Sequence, residues 1–207
     1  MRKPPKTLKR LLALSLTLAL SSSLNAQPWN LEPEVTEPVF PGSTVASRLY
    51  FDGCADCFGP WSVTSSGRLE NLDEYKYGPE LTNDNDLSTC WATRGGVGSW
   101  TKGRGFRMLR ATAADRAPVD GIAIANGYTK NMERWQQNSR IRELSISVDG
   151  KEYARATLKD TPFVQRVRFP ERVNIRNGEL RITVLSVYPG SHFNDLCVSE
   201  VQVEGGH

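Results

Sequence analysis

The sequence has few of the residues and motifs on which common enzyme sites depend. It contains two histidines, His192 and His207, and neither lies in the sequence context of a catalytic triad. It has no Gly-x-Ser-x-Gly motif, no zincin helix motif and no phosphate-binding glycine loop. These absences disfavour serine hydrolases, zinc proteases and nucleotide-binding enzymes of the P-loop type.

The chain also lacks a hydrophobic run long enough to span a membrane. Its main apolar segment, Leu11 to Leu20, follows a basic N-terminus and precedes small residues that end at Ala26. A transmembrane helix needs about 20 apolar residues, whereas this arrangement is typical of a secretory signal peptide. We therefore expect cleavage after Ala26, which leaves a mature chain of residues 27–207 without a transmembrane segment, in the periplasm or outside the cell.

A strong net charge is missing from the mature chain as well. The whole chain has 26 basic and 23 acidic residues. Loss of residues 1–26 removes five basic residues and no acidic one, which leaves 21 basic and 23 acidic residues and a net charge of −2. The sequence also has no recognisable nucleic-acid motif, so no nucleic-acid partner is predicted. The one local basic patch consists of Lys102, Arg104, Arg107 and Arg110.

Amphipathic helix patterns are absent, and short alternating segments take their place. Gly, Pro, Asn and Asp turns separate them, and Asp149-Gly150 predicts a β-hairpin. Residues 132–139 are at most one short helical turn. This pattern predicts an all-β protein built as an antiparallel β-sandwich, without distinguishing a jelly roll from an immunoglobulin-like sandwich. The predicted strands are 61–65, 106–111, 119–125, 145–148, 153–158, 163–169, 180–184 and 197–203.

The mature chain is long enough for one domain with an extension. Residues 27–60 are rich in proline and acidic residues near their start, and we predict a linker or loosely packed arm. Within it, residues 49–51 are a candidate edge strand and residues 54–57 a constrained turn. The domain itself is predicted to comprise residues 61–207.

Four cysteines in an exported chain predict disulfides. Three pairings are possible, and we favour Cys90–Cys197, which ties an early strand to the last, and Cys54–Cys57, which closes a small loop. A redox pair or half a zinc site at Cys54 and Cys57 is disfavoured, because no helix follows and histidines are scarce. A Cys90–Cys197 bond would bring the acidic loop before Cys90 next to the final strand.

A loop between two strand patterns, residues 126–140, is the strongest candidate for function. It combines hydrogen-bond donors and acceptors with two aromatic rings, and sugar recognition needs both kinds of group. In the alternative interpretation its Asn and Arg side chains bind the backbone and Trp135 caps the core. The candidate ligand residues are Tyr128, Lys130, Trp135, Asn138 and Arg140, together with Trp100, Tyr188, His192 and Asn194 from loops at the same end.

Several motifs of this region resemble a known family. They are NGYTK at 126–130, N-x-R at 138–140, KDTP at 159–162, VYPG at 187–190 and CVSEV at 197–201. Together they resemble the glycan-binding discoidin-like domain found beside the catalytic domain of streptococcal NAD glycohydrolase toxin and alone in many bacterial secreted proteins. The resemblance covers roughly Trp61 to Gly205. It implies a discoidin-like jelly roll and a binding role, not NAD cleavage.

The resemblance also implies a calcium site. The loop NDNDLSTCW at 83–91 is similar to the D-G-D-x-x-T-x-W element of discoidin-like domains, with Asn85 at the usual glycine. In many relatives this loop and a glutamate on the last strand enclose calcium, which prefers oxygen ligands. The alternative is an Asx-rich turn whose side chains bind their own backbone. The ligands implied are Asp84, Asp86, Thr89 and Glu200.

Three candidate functions therefore follow from the sequence. The first is a secreted, non-catalytic module for carbohydrate or a glycan-bearing surface, with no cofactor beyond structural calcium. The second is a structural or protein-interaction module of the bacterial envelope. The third is a small periplasmic glycoside hydrolase that uses a carboxylate pair, either Asp84 with Asp86 or Asp195 with Glu200.

Overall fold

The structure is a computed structural model that describes residues 27–38, 61–72, 75–95, 105–110, 118–175 and 178–205. Several predictions fall outside these residues: the signal peptide 1–26, the candidate strand 49–51, Cys54, Cys57, Trp100, and Lys102 and Arg104 of the basic patch. No helix in the described ranges has the length and apolarity needed to cross a membrane.

Two sheets form the described part of the chain. One has six strands in the order β1-β8-β7-β10-β5-β3, and the other has five in the order β2-β9-β6-β11-β4. All neighbours pair antiparallel except β1 and β8. The strands are β1 Trp29–Leu31, β2 Glu34–Pro38, β3 Trp61–Ser65, β4 Trp91–Thr93, β5 Gly105–Arg110, β6 Val119–Asn126, β7 Arg140–Val148, β8 Lys151–Thr157, β9 Phe163–Val173, β10 Glu179–Tyr188 and β11 Leu196–Gly205.

The core lies between the two sheets and follows the predicted alternation. Ile141 and Leu144 on β7 and Ile182 on β10 are fully buried, and they pack in one cluster with Ile122 and Ile124 of β6. Branched aliphatic side chains suit this position because they fill the pleated surface of a strand. The predicted antiparallel sandwich is thus confirmed, including the Asp149-Gly150 hairpin, whose residues have φ angles of 47° and 84° as a type I′ turn requires.

The N-terminal segment differs from the prediction. We expected a linker or arm, but its first residues form two edge strands, β1 in the six-stranded sheet and β2 in the five-stranded sheet. Only Glu32 and Pro33 separate them, and Pro33 is buried. We did not predict these strands, because prolines are uncommon inside strands. An edge strand tolerates proline, however, because its outer backbone groups need no partner. Residues 29–38 therefore belong to the sandwich.

β6 is buried on both faces. Ile122 and Ile124 face the main core, whereas Ala123 and Ala125 belong to a second cluster with Leu87 and Val164. Leu87 comes from the acidic loop 83–89, so this loop covers the outer side of the five-stranded sheet. One short helix, α1 Met132–Gln137, follows β6 and is the only α-helix among the described residues.

Candidate functional site

Asn126 fixes the start of the loop between β6 and β7. Its side chain donates to the carbonyl of Ile141 at 2.7 Å and accepts from the Ile141 N–H at 2.9 Å. The next residue, Gly127, has a φ of 97°, and a Cβ there would lie 2.8 Å from side-chain atoms of both Arg140 and Trp135. Glycine is therefore required at this position for its conformation and for the close packing around it.

Trp135 is part of this packing. The side chain is 7% exposed, and its indole N–H donates to the carbonyl of Asn126 at 2.9 Å. The guanidinium carbon of Arg140 lies 4.3 Å from the ring centroid, in a cation–π contact. The ring that we predicted to stack on a sugar therefore holds the loop against β7.

Arg140 completes the contacts that hold this loop, and together with Trp135 and Asp160 it forms a brace. It forms a two-point ion pair with Asp160, at 2.7 and 3.1 Å, and donates to the carbonyls of Trp135 and Asn138 at 3.0 and 2.7 Å. Asn138 itself donates to the carbonyl of Arg134 at 2.8 Å. The bracing interpretation describes the contacts of all three residues, and that Trp135, Asn138 and Arg140 contact ligand stays a prediction.

Tyr128 and Lys130, from the same loop, have a different environment. Both line a cleft of about 420 Å³, within the size range of small-molecule sites. Tyr75, Lys76 and Tyr77 also line it and were not among the predicted site residues; they precede the short 3₁₀ helix Pro79–Thr82. The only sequence feature that marks these residues as a possible binding surface is a pair of tyrosines flanking a lysine in a polar segment. The remaining lining residues are Leu81, Ser88, Thr89 and Cys90.

The three tyrosines of the cleft, Tyr75, Tyr77 and Tyr128, are exposed to different degrees. Tyr75 is 49% exposed, whereas Tyr77 and Tyr128 are half-buried. Burial first, then the neighbouring Cys90 thiol, raises the pKa of Tyr128 to about 12, and burial likewise raises the pKa of Tyr77. These two phenols therefore stay protonated at neutral pH and offer hydroxyl donors beside aromatic surfaces.

Cys90 and Cys197 lie beneath this cleft. Both are buried, and Tyr77 and Tyr128 pack against them. In the structure both are free thiols, and the hydrogen bond between them, followed by burial, raises the pKa of the Cys197 thiol. The register of β4 and β11 sets Cys197 opposite Ala92, two residues beyond Cys90. The disulfide between them stays a prediction, whose partners the fold brings together.

Tyr188, His192 and Asn194 are not among the described lining residues of the cleft. The hydroxyl of Tyr188 donates to the carbonyl of Leu158 at 2.9 Å and thereby braces β10. His192 and Asn194 are exposed in the loop after β10, where the His192 ring meets Phe193 edge-on at 4.5 Å. This loop is hydrogen-bonded to the carbonyls of Gln136 and Gln137 at the end of α1.

The acidic loop beside the cleft is a compact set of Asx turns. Asp84 accepts from the N–H of Asp86 at 3.0 Å and from the hydroxyl of Thr89 at 2.8 Å. Asp86 accepts from the N–H and hydroxyl of Ser88 at 2.8 and 2.6 Å. The alternative interpretation of an Asx-rich turn therefore describes most of this loop.

Glu200 is the exception, because its buried carboxyl group lies beside that of Asp84 and one of its oxygens meets no donor of the described residues in hydrogen-bond geometry. The side chain is 1% exposed, and its Oε1 accepts from the N–H of Asn85 at 2.6 Å. Its Oε2 is buried and has no hydrogen-bond partner among the described residues. Burial first, then the adjacent Asp84, raises the pKa of Glu200 to about 8. Two carboxyl groups so close need a shared proton or a cation between them.

The fold agrees with the comparison to known domains. The family model of the NAD glycohydrolase translocation F5/8 type C domain matches residues 56–204. The chain belongs to this family. No curated protein sequence is significantly similar to the chain.

Solved structures similar to this F5/8 type C domain share its fold. An F5/8 type C domain from Bacteroides fragilis has a TM-score of 0.50 at 18% identity, covering 71% of this chain and 93% of its own. The family 32 carbohydrate-binding module of Clostridium perfringens NanJ, solved with galactose, has a TM-score of 0.51 at 17% identity, covering 69% and 92%. The discoidin-like fold implied by the sequence motifs is confirmed.

A third similar structure is the CpGH89CBM32-5 module from Clostridium perfringens, solved with GalNAc-β-1,3-galactose. It has a TM-score of 0.51 at 11% identity, and the match covers 69% of this chain and 94% of that module.

The acidic loop of this F5/8 type C domain also accounts for its departure from the D-G-D pattern. Asn85, at the position of the glycine, has a φ of 66°. Asparagine is the residue that adopts this left-handed conformation most readily after glycine. The substitution therefore preserves the turn that sets Asp84 beside Glu200.

The residues present fit a cation in part. Asp84, Glu200 and the Thr89 hydroxyl would contribute oxygen atoms, whereas Asp86 is turned toward Ser88. No group of three or more acidic, histidine or cysteine side chains converges anywhere in the described ranges. Backbone carbonyls and water would have to complete the six to eight oxygens that calcium prefers.

The same contacts argue against the two carboxylate pairs as a hydrolase site. A glycosidase needs one carboxylic acid and one carboxylate, both facing the sugar. Asp84 and Asp86 instead accept hydrogen bonds within their own loop, and Glu200 is buried. Because Glu200 is buried, the pair of Asp195 with Glu200 cannot present two carboxyl groups to a sugar.

Proposed function

We propose that the mature chain is a secreted, non-catalytic module that binds carbohydrate in the cleft between Tyr75, Tyr77 and Tyr128. The tyrosine-lined cleft is the observation that carries the proposal. Aromatic faces pack against the apolar C–H face of a pyranose, and phenol hydroxyls and lysine ammonium groups bind its hydroxyls. The galactose and GalNAc ligands of the similar modules support a sugar as the ligand class.

The locked loop explains how such a site binds without rearrangement. The brace of Trp135, Arg140 and Asp160 fixes the backbone from which Tyr128 and Lys130 project. A preformed site loses little conformational entropy when ligand binds, which favours affinity for a small sugar. In this proposal the central loop serves recognition indirectly, by positioning two of its residues.

We also propose that a calcium ion bound between Asp84 and Glu200 stabilises the acidic loop. The unpartnered Oε2 of Glu200 and the raised pKa of its carboxyl group support a cation there. Because Ser88 and Thr89 of this loop line the cleft, the ion would hold one wall in place. It would not contact the sugar.

A glycan array with the purified chain from Gln27 tests the binding proposal. We expect Tyr75→Ala to abolish selective binding without changing the melting temperature, because the side chain is exposed. Tyr128→Phe retains the ring and removes the hydroxyl, so it should weaken binding by about 5- to 10-fold, the usual cost of one hydrogen bond. Trp29→Ala is the matched control, since Trp29 is 50% exposed on β1, outside the cleft.

Two results would overturn the proposal. Binding that survives Tyr75→Ala would assign the sugar to another surface. Absence of binding to any glycan on a broad array, by protein shown to be folded, would favour the protein-interaction role and direct the search to envelope partners. Mass spectrometry of the exported protein tests secretion, because cleavage after Ala26 gives a chain that begins at Gln27.

A further inference from the structure

The tyrosine cleft is lined by positive charge, although the mature chain proposed to begin at Gln27 is slightly acidic. Lys76 and Lys130 line it, and no acidic residue is among its described lining residues. Neither lysine has an ion-pair partner in the part of the chain that the structure describes. The mature chain carries a net charge of −2, so the charge of the cleft is a local feature.

Arg134 extends this positive field. It lies on α1, and its charge lowers the pKa of both Tyr77 and Tyr128, opposing the larger effect of burial. Its guanidinium therefore acts on the two half-buried phenols of the cleft. The only hydrogen bond of its side chain among described residues is a 3.5 Å contact with Gln137, which leaves its charge uncompensated.

Described acidic residues that neighbour the lining residues in sequence, Glu80 and Asp86 among them, do not line the cleft themselves. Asp84 and Asp86 accept hydrogen bonds from Thr89 and Ser88, within the loop that forms one wall. Glu133 on α1 accepts from the side-chain amide of Gln137 at 2.9 Å. These carboxylates keep their negative charge but do not line the cleft, whereas Lys76 and Lys130 do, so the lysines are the charged groups that a ligand there would contact.

We propose that the tyrosine cleft is selective for anionic saccharides, those that carry a carboxylate or a sulfate group. This inference rests on the proposed function, of which it names the ligand class. A tyrosine ring packs on the face of the sugar, and the ammonium groups of Lys76 and Lys130 bind the anionic substituent. The phenol hydroxyls of Tyr77 and Tyr128 add donors that suit either a sugar hydroxyl or an anion oxygen.

Matched sugars test the selectivity. The affinity of the chain from Gln27 is measured for galactose, galacturonate and galactose 6-sulfate, and for glucose, glucuronate and glucose 6-sulfate, at low and high salt. Within each set the ring is constant and only the substituent at C6 changes. We expect at least one anionic sugar to bind about 10-fold tighter than its neutral counterpart at low salt, with a smaller ratio at high salt. The carboxylate and sulfate arms identify which anion is preferred.

Variants assign the preference to the cleft. The Lys76→Gln/Lys130→Gln double variant should lose most of the preference, with only the contribution of Arg134 left, whereas Lys151→Gln, at the exposed start of β8, should retain it in full. Both variants replace exposed side chains, and their melting temperatures confirm folding.

Each contrary result has a distinct meaning. Equal affinity for neutral and anionic sugars, with binding lost in Tyr75→Ala, would overturn the selectivity and leave the proposed function standing. A preference that persists undiminished in the double lysine variant would also overturn it, since the charge responsible would not be that of the two lysines. Absence of binding to every sugar, here and on the array, would overturn both proposals.

Discussion

Glu200 makes the stability of this domain depend on pH in a direction opposite to that of most carboxylates. Its pKa rises from 4.5 to about 8 on folding, because burial and the nearby Asp84 disfavour the ionised form. The folded state therefore holds a proton that the unfolded state releases. Its contribution to stability is fully present below about pH 4.5 and is lost as the pH rises toward 8.

The size of the effect follows from the two pKa values. Since a tenfold change in proton affinity corresponds to about 1.4 kcal/mol, ionisation of Glu200 in the folded protein costs at most about 5 kcal/mol by pH 8 without a cation. Glu200→Gln removes this cost, because glutamine stays neutral and its amide oxygen still accepts from Asn85. In chelator we expect the variant to be as stable as the wild type at pH 5 and more stable by several kcal/mol at pH 8.

Calcium should reverse the order of the two proteins. A cation between Asp84 and Glu200 favours both ionised carboxylates and stabilises the folded state by mass action. At pH 8 we expect calcium to stabilise the wild type and to leave Glu200→Gln unchanged. Urea unfolding at pH 5, 6, 7 and 8, followed by tryptophan fluorescence with chelator or with calcium, measures both effects.

Glu152→Gln is the matched control for this series. Glu152 is partly exposed and its pKa is lowered, chiefly by a hydrogen bond from Arg155, so its replacement should change stability by less than about 1 kcal/mol. Parallel pH curves for the wild type and Glu200→Gln in chelator would refute the reasoning. Equal stabilisation of both proteins by calcium would refute the assigned site.

Three further predictions concern other parts of the domain. Gly127→Ala should lower the free energy of unfolding by about 2 kcal/mol or more, because Gly127 has a φ of 97° and close neighbours. Gly150 has a φ of 84° but open space around it, so Gly150→Ala should cost only about 1 kcal/mol. Equal losses in urea unfolding would contradict the role of close packing at Gly127. Asn85→Gly should remain within about 1 kcal/mol of the wild type in urea unfolding, whereas Asn85→Val should be clearly less stable because a β-branched residue resists positive φ; equal stability of the two variants would be unexpected. Oxidised glutathione should join Cys90 to Cys197, and reduction should then lower the stability by about 2–5 kcal/mol; an unchanged melt on reduction, with the thiols shown to be free, would reject the pairing.

The strands that the sequence predicted correctly are those whose signals are local. Asp149-Gly150 defines a tight turn, and β7 and β10 alternate because each has one buried face. The missed strands lack such signals. β4 is three residues long and buried throughout, so it shows no alternation, and the prolines of the N-terminal segment are typical of linkers as well as of edge strands.

The site was harder to predict because tertiary packing decides the role of each residue. A tryptophan in a polar loop is typical of a sugar platform, and only the folded structure shows that Trp135 is buried against Gly127 and Arg140. Tyr128 and Lys130 were identified from the loop's composition. Tyr75 and Tyr77 lie in an irregular segment whose position against that loop no local pattern indicates.

The short N-terminal segment has a practical consequence for anyone who makes this domain. β1 and β2 each cover the edge of a different sheet, yet both precede residue 56, where the family match begins. A recombinant fragment cut at the family boundary would leave β8 and the first half of β9 with unpaired backbone groups along their outer sides. Such open edges pair readily with neighbouring molecules, so the fragment would tend to self-associate and imitate multivalent binding on an array surface.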